Sequence, residues 1–462
     1  MPPNPQSHSS LELCAQVTCP HCWHVFPPED VLWIAAHPEL GPPNGDALLP
    51  TEPQRFLPSR FNVNGMAIDV KGAPCEKLAC PHCHLSIPRA CLEMASLFVS
   101  IIGAPSSGKS YLLAAMIWRL ENSLHTNFSL AFGTADAAAN HELNRYIELL
   151  FHNPREDEPV TLQKTEKGGD LYESVNHGGR EVWYPRPFVF QVRPDTGHPA
   201  YEPRSQLSRT ICLYDNAGEH FLPGSDSPMF PCKHLALSRV LLFLFDPTQH
   251  TKLRKACSGI SDDPQLKKQD VYSQHQVLLE AAQRIRNHHV PRLAANEKYS
   301  RPLVVVVTKF DTWAPLIKRK KLADNLAIRP VKPGLSALDI TLIKEVSDQV
   351  RELLSEHARE VVQAAESFFK EVIYIPVSAL GQSPEVDRSS GQLVIRPKDV
   401  HPMWAEVPML YATHLSTPRL IPVGKRPEAP PVQTAWVPGH QSPKNPLPPP
   451  GAAPPRLKET GS

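Results

Sequence analysis

Eight consecutive residues, Gly103-Ala104-Pro105-Ser106-Ser107-Gly108-Lys109-Ser110, constrain this chain more than anything else in it. The apolar run Leu97-Phe98-Val99-Ser100-Ile101-Ile102 precedes them and reads as a buried strand. A stretch of helical period, Tyr111-Leu112-Leu113-Ala114-Ala115-Met116-Ile117-Trp118, follows. Strand, glycine-bounded loop and helix N-terminus together make an anion cradle. In such a loop the backbone N–H groups point at phosphate oxygens. Lys109 then reaches the β- and γ-phosphates, and the Ser110 hydroxyl becomes a ligand for Mg²⁺.

At 462 residues the chain exceeds what one core usually serves, so two domains with extensions are expected. A formal charge of +1 gives no general attraction to nucleic acid or anionic membrane. The longest apolar runs, near 97–102, 240–245 and 303–307, fall far short of the roughly 18 residues a bilayer requires. The opening Met-Pro-Pro-Asn-Pro-Gln-Ser-His has neither a basic start nor an apolar stretch, so a cytoplasmic protein without membrane insertion is expected. In that compartment the ten cysteines read as thiols or metal ligands, not disulfides.

Cys19-Pro-His-Cys22 and Cys80-Pro-His-Cys83 are two identical knuckles. Each turn points two thiolates at one tetrahedral site, and the pair completes a closed Cys₄ zinc centre with no open coordination position. His21, His24, His82 and His84 are alternative ligands; Cys14, Cys75 and Cys91 lie nearby in sequence. Nearly sixty residues separate the knuckles, so the expected zinc ribbon, residues 1–95, carries an insertion. A redox pair would sit in a thioredoxin-like pattern, and the chain has none.

Downstream, Arg209-Thr210-Ile211-Cys212-Leu213-Tyr214 is a strand leading into Asp215-Asn216-Ala217-Gly218. An Asp at a strand end holds magnesium through a water, and a Gly three residues on lets the backbone approach the γ-phosphate. Val240–Phe245 is a buried strand ending at Asp246; Leu303–Val307 runs into Thr308-Lys309-Phe310-Asp311. A carboxylate at Asp311 accepts two hydrogen bonds from guanine, at N1–H and the 2-amino group, whereas adenine leaves it unpaired. At about 1.5–3 kcal/mol per charge-assisted bond, two such bonds discriminate by roughly a hundredfold or more. The Lys309 stem lies along the purine, and Val372–Val377 leads into Ser378-Ala379-Leu380, whose backbone meets the guanine O6.

These elements, in this order and each at a strand's C-terminal end, resemble the Ras-like TRAFAC-clade GTPases over about residues 97–415. Within that clade the chain looks most like the bacterial double-GTPase group, whose members can carry an N-terminal zinc ribbon. The resemblance implies an α/β P-loop fold with a mostly parallel sheet flanked by helices, and GTP/GDP with Mg²⁺ as ligands. It assigns nucleotide contacts to Gly103, Ala104, Pro105, Ser106, Ser107, Gly108, Lys109, Ser110, Tyr111, Asp215, Gly218, Thr308, Lys309, Asp311, Ser378, Ala379 and Leu380. Thr308 stands where Asn is commoner and still hydrogen-bonds the phosphate loop. Glu219 stands where many members place a water-orienting Gln, with His220 as alternative helper; either implies slow hydrolysis. For the first switch the expected threonine is Thr165, with Thr161 as the alternative.

The hundred residues between the phosphate loop and Asp215 are expected to hold a strand near 128–132 and a helix near 140–151. Residues 264–289 and 337–369 read as amphipathic helices, and 403–415 as the closing helix. Of the 51 prolines many gather after residue 424, so 425–462 is expected to be a disordered tail beyond a GTPase domain at 96–424. Catalytic roles fall to Lys109, Glu219, His220 and Thr165. The leading expectation is a Mg²⁺-dependent GTPase acting as a conformational switch, with the ribbon docking a protein effector. By resemblance that effector is a companion GTPase or a conflict-system protein. The alternatives are a nucleotide-bound adaptor that does not turn over, and an ATPase in which Asp246 closes the magnesium strand. The near-neutral charge favours a protein over a nucleic acid as what the ribbon docks.

Overall fold

The computed structural model describes residues 13–162, 171–202, 206–216, 218–221, 233–267, 272–289, 291–294, 296–317 and 327–424. The proline-rich tail expected from residue 425 lies outside them. Among the described residues, seven strands form the central sheet: β1 Ala95–Gly103, β2 Leu130–Thr134, β3 Phe188–Pro194, β4 Arg209–Asp215, β5 Val240–Phe245, β6 Leu303–Val307 and β7 Val372–Pro376. Their spatial order is β2-β3-β4-β1-β5-β6-β7. Contacts from β4 through β7 are parallel; β3 is antiparallel to both its neighbours. β5 and β6 are buried along their whole length, as strands covered on both faces must be, and this accounts for their unbroken apolar runs.

The parallel register brings the functional strand ends to one edge. Asp215 pairs with Ile101, Leu244 with Gly103, and Val307 with both Phe245 and Pro376. Helix α1, Lys109–Phe128, leaves that edge and packs beside α2, His141–Phe151, where Trp118 stacks on Phe151 with centroids 4.3 Å apart. Because α1 runs to Phe128, the strand expected from that residue begins only at Leu130.

Three other expected spans are redrawn. The helix read over 264–289 is a 3-10 turn at Pro264–Lys267, capped by Asp263 accepting from the Gln265 N–H at 2.8 Å, followed by α3, Gln274–His288. The 337–369 span divides into α4, Ile340–His357, capped by Asp339, and α5, Arg359–Phe368, with the chain turning at Ala358. The closing helix α6 is Val407–Ser416; Met403 instead pairs with Ser378 as a β-bridge. An unexpected hairpin, Tyr172–His177 with Arg180–Pro185, fills part of the long gap. Its turn, Gly178-Gly179, has φ of 62° and 93°, the left-handed conformation that two-residue hairpin turns require.

The N-terminal module is built from short strands: a four-stranded sheet of Arg55–Phe56, Leu32–Ile34, Leu78–Ala79 and Ser86–Ile87, and two two-stranded ribbons. A four-residue helix, Ala90–Glu93, joins it to β1. Its core takes in Val175 and Tyr184 from the Gly-Gly hairpin. A separate cluster joins Trp23 to Phe98, Val189, Cys212 and Tyr214. Strand alternation explains this: Ile211 and Leu213 of β4 enter the main core, while Cys212 and Tyr214 point to the opposite face, which the first knuckle covers. No helix among the described residues is long and apolar enough to cross a membrane.

Candidate functional site

The phosphate loop closes β1 and opens α1. Gly108 has φ 88°, a left-handed turn suited to glycine, and Ser106 adopts φ 59°. A Cβ at Gly103 would stand 2.9 Å from the Leu244 Cβ, so β5 sits directly beneath the loop. Lys109 is buried and donates from Nζ to the carbonyls of Gly103 and Ala104 at 3.1 and 3.2 Å. Burial lowers its pKa, against the opposing pull of Asp215 and Glu219. The Ser107 hydroxyl is buried and has no hydrogen-bond partner among the described residues.

Asp215 ends β4 and is buried. Burial lifts its carboxyl to about 6, with Lys109 pulling it down. Its Oδ1 has no hydrogen-bond partner among the described residues. An orphaned, buried carboxylate oxygen in the same cleft as the Ser110 side chain is the donor set a hard, oxygen-seeking cation such as Mg²⁺ takes. Gly218 comes so close to the loop that a Cβ would meet the Gly103 carbonyl at 2.5 Å and the Pro105 nitrogen at 2.6 Å. Glu219 lines the cleft. His220 does not line it: its Nδ1 lies 3.2 Å from the Tyr172 hydroxyl, and its carbonyl accepts from Arg284 at 2.6 Å.

At the other end, Lys309 sits in the left-handed region with φ 56°. Its ammonium donates to Asp246 Oδ2, to the Thr248 hydroxyl at 3.0 Å and to Gln265 Oε1 at 2.8 Å. Asp246 is fully buried and also accepts from the Thr248 N–H and hydroxyl, so its carboxylate is spent on holding Lys309 and the turn after β5. The Thr308 hydroxyl donates to the Phe245 carbonyl at 3.3 Å and lies 3.4 Å from the Ser107 carbonyl, joining this motif to the phosphate loop. Asp311 accepts from the Ser378 hydroxyl. Burial raises the Asp311 carboxyl, and the Ser378 bond opposes that rise. The Gly381 N–H donates to the Ser378 oxygen at 2.8 Å. Gly381 has φ 79° and presses on the His401 carbonyl where a Cβ would clash at 2.0 Å, so the Ser378–Gly381 loop is pinned.

One cleft of about 2010 Å³, ample for a nucleoside triphosphate, is lined by residues from both ends. They include Pro105 to Tyr111, Asp215, Gly218, Glu219, Thr308, Lys309, Asp311 and Ser378 to Leu380. Gly103 and Ala104 are buried behind the loop and are not among its lining residues, whereas Thr161 lines it; Thr165 lies outside the described residues. Sequence reasoning missed four further walls: Arg145 on α2, paired with Glu142 at 2.5 Å; Arg186, which donates to the Ala138 carbonyl at 2.8 Å; and Asp263 and Gln265 at the far end. Arg186 had a cue, since Pro185-Arg186-Pro187 directly precedes an apolar strand. Arg145 had none, because an arginine on an amphipathic helix looks solvent-facing.

The second site is the sulfur cluster. Cys19, Cys22, Cys80 and Cys83 are buried, with all four sulfurs within 4.8 Å of one another. Cys19 and Cys83 lie 3.8 Å apart and Cys22 and Cys80 3.6 Å, close to the roughly 3.8 Å between sulfurs bound tetrahedrally at about 2.3 Å from zinc. The knuckles repeat each other. Backbone N–H groups of His21 and His82 donate to Cys19 and Cys80 sulfurs at 3.3 and 3.4 Å, and Trp23 and His84 both take φ near 60°. Burial pushes the Cys19 and Cys83 thiols up, and a cation among the sulfurs would favour their thiolates. Cys75 instead faces Asp69, and His84 pairs with Asp46 at 2.8 Å.

No protein-family model matches the sequence, nor does any curated protein sequence. Among solved structures the chain is similar to Era in complex with MgGDPNP and a 16S ribosomal RNA fragment, at 14% identity and TM-score 0.23 over 73% of this chain. It spans 60% of that Era chain. It is also similar to the S. cerevisiae Ski7 GTPase-like domain bound to GTP, at 14% identity and TM-score 0.27, covering 70% of this chain and 50% of that one. A third is a point variant of Aquifex aeolicus Era bound to GDP·AlF₄⁻, at 14% identity and TM-score 0.22, covering 72% and 58%. Superpositions this loose leave the chemistry to the residues of the cleft.

Proposed function

We propose that this chain binds guanine nucleotide in the cleft and hydrolyses GTP to GDP and phosphate. The observation that carries the reading is the pairing within one cleft of a buried Lys109 and orphaned Asp215 at one end with a partly buried acceptor, Asp311, at the other. Lys109 and the loop N–H groups neutralise the phosphates. Ser110 and Asp215 would hold magnesium, which would supply charge compensation to the phosphates. Gly218 brings its N–H against the γ-phosphate. Glu219 accepts the proton of the attacking water, and Thr161, which lines the cleft, faces the triphosphate. Asp311 selects guanine, and Asp246 is left to anchor Lys309, which argues against the ATPase alternative.

Zinc in the Cys₄ cluster is part of the same proposal, as a structural centre, and the partner is a protein effector. A second reading, a nucleotide-bound adaptor without turnover, is favoured by Glu219, which places a second carboxylate charge on Lys109 beside that of Asp215. The test is titration with fluorescent GDP, GTP and ATP analogues, followed by single-turnover phosphate release. Micromolar or tighter guanine binding with much weaker ATP is expected; equal ATP affinity overturns the guanine assignment. Tight GTP binding without phosphate release selects the adaptor.

A further inference from the structure

The first cysteine knuckle is buried against the nucleotide domain at the two segments that border the cleft. Trp23, the residue after Cys22, is buried and donates from Nε1 to the Tyr214 hydroxyl at 3.2 Å; that hydroxyl donates to the carbonyl of Pro20, inside the knuckle, at 2.6 Å. Tyr214 immediately precedes Asp215. The Trp23 ring stacks on His234 with centroids 5.7 Å apart, and Tyr214 packs on the same imidazole at 4.9 Å. His234 in turn meets the Asn216 side-chain oxygen at 2.7 Å through Nε2, and the Asn216 amide donates to the Ile101 carbonyl on β1 at 2.9 Å. Asp215 is therefore bracketed by two residues whose side chains are both engaged through the knuckle's aromatic cluster.

The knuckle holds the other border as well. The His21 ring nitrogens lie 3.2 Å from the Pro185 carbonyl and 3.0 Å from that of Ser86. Pro185 ends the Gly-Gly hairpin, and Arg186 of the cleft wall is next in the chain. The start of that hairpin, Tyr172, contacts His220, one residue beyond Glu219. Two of its residues, Val175 and Tyr184, share a core with the four cysteines.

We propose that the Cys₄ knuckle is a working part of the nucleotide site, with Trp23 and Tyr214 as positioning residues for Asp215, so that zinc and GTP bind with mutual enhancement. The inference rests on the guanine-nucleotide reading above. The physical reason is geometric. Residues 19–23 keep their turn only while the sulfurs share a cation, and that turn supplies the carbonyl and indole that fix the Tyr214 hydroxyl. Losing the turn frees the backbone on both sides of Asp215. Linkage then requires that the factor by which zinc tightens GTP equals the factor by which GTP tightens zinc.

The test uses the full chain. GTP-analogue and GDP affinities are measured with Zn²⁺ loaded and after chelation, and Zn²⁺ affinity is measured in chelator buffers with and without the analogue. Equal factors of about fivefold or more are expected in both directions. Tyr214→Phe keeps the ring and loses the hydroxyl. It should retain one zinc and bind GTP several-fold more weakly, with a smaller loss for GDP, while the remote core variant Val350→Ala leaves the GTP-to-GDP ratio unchanged. If the wild-type chain binds GTP tightly yet zinc changes nothing, the coupling is overturned and the nucleotide reading survives. If Tyr214→Phe and Val350→Ala shift the ratio alike, the positioning role is overturned. If no guanine nucleotide binds at all, both fall.

Discussion

Lys309 donates to the buried carboxylate of Asp246 across 63 residues of chain, and through it the Thr308–Asp311 segment is fastened to the end of β5. The same ammonium reaches Thr248 and Gln265, so its stem is held along the cleft wall. Replacing Asp246 with Ala strands a largely buried ammonium. A loss of about 3–5 kcal/mol in unfolding free energy is expected, read by denaturant titration, together with weaker nucleotide binding. A stability unchanged within about 0.5 kcal/mol would show that the pair does not hold the segment.

Asp311→Asn exchanges an acceptor for an amide that faces the guanine N1–H and 2-amino group with donors. Guanine affinity should fall by about a hundredfold, and xanthine nucleotides, which carry an acceptor at position 2, should gain. Competition of GTP against XTP measures the preference; an unchanged order removes Asp311 from base recognition.

Asp215 yields a pH prediction with a definite sign. Its folded pKa, about 6, lies above the ordinary 3.8, so the folded chain holds the proton more tightly than the unfolded one. The cost of ionising it is absent below pH about 4, grows between 4 and 6 and is complete above 6. Asp215→Asn should therefore stabilise the nucleotide-free protein at pH 7.5 by an amount on the order of 2–3 kcal/mol and do nothing at pH 4. The same variant should abolish Mg²⁺-dependent tightening of GTP. A gain in Tm that is equal at both pH values would contradict the burial argument.

Gly218→Ala pushes a methyl group into the Gly103 carbonyl at 2.5 Å. Backbone at both positions must separate, and, with Gly218 proposed to face the γ-phosphate, GTP binding should weaken more than GDP binding. Calorimetry with both nucleotides distinguishes this from a uniform loss.

Metal analysis should return close to one zinc per chain, and Cys22→Ser or Cys80→Ser should abolish it. Each replaces one of four sulfurs set at tetrahedral spacing, and a three-sulfur site would bind far more weakly. Full zinc content in either variant would move the site elsewhere.

What the sequence alone determined is local and chemical. The phosphate loop, the apolar strands on either side of Asp215 and before Thr308, and the two cysteine knuckles are each written within a few consecutive residues. Their periodicity or spacing carries the structural consequence. A mostly parallel sheet could be expected, whereas the spatial order of its strands came only with the structure. The tertiary structure decided everything that depends on partners far apart in the chain. Nothing near Trp23 announces that it meets Tyr214 across 191 residues, because an apolar side chain shows that it will be buried but not against what. The short turn capped by Asp263 ahead of α3, the start of α4 at Asp339 and the division of α4 from α5 at Ala358 are caps and breaks that an amphipathic stripe does not register. Arg145 became part of the cleft only because α2 lies over it; the sequence has no term for which way a helix face looks once the sheet beneath it has been assembled.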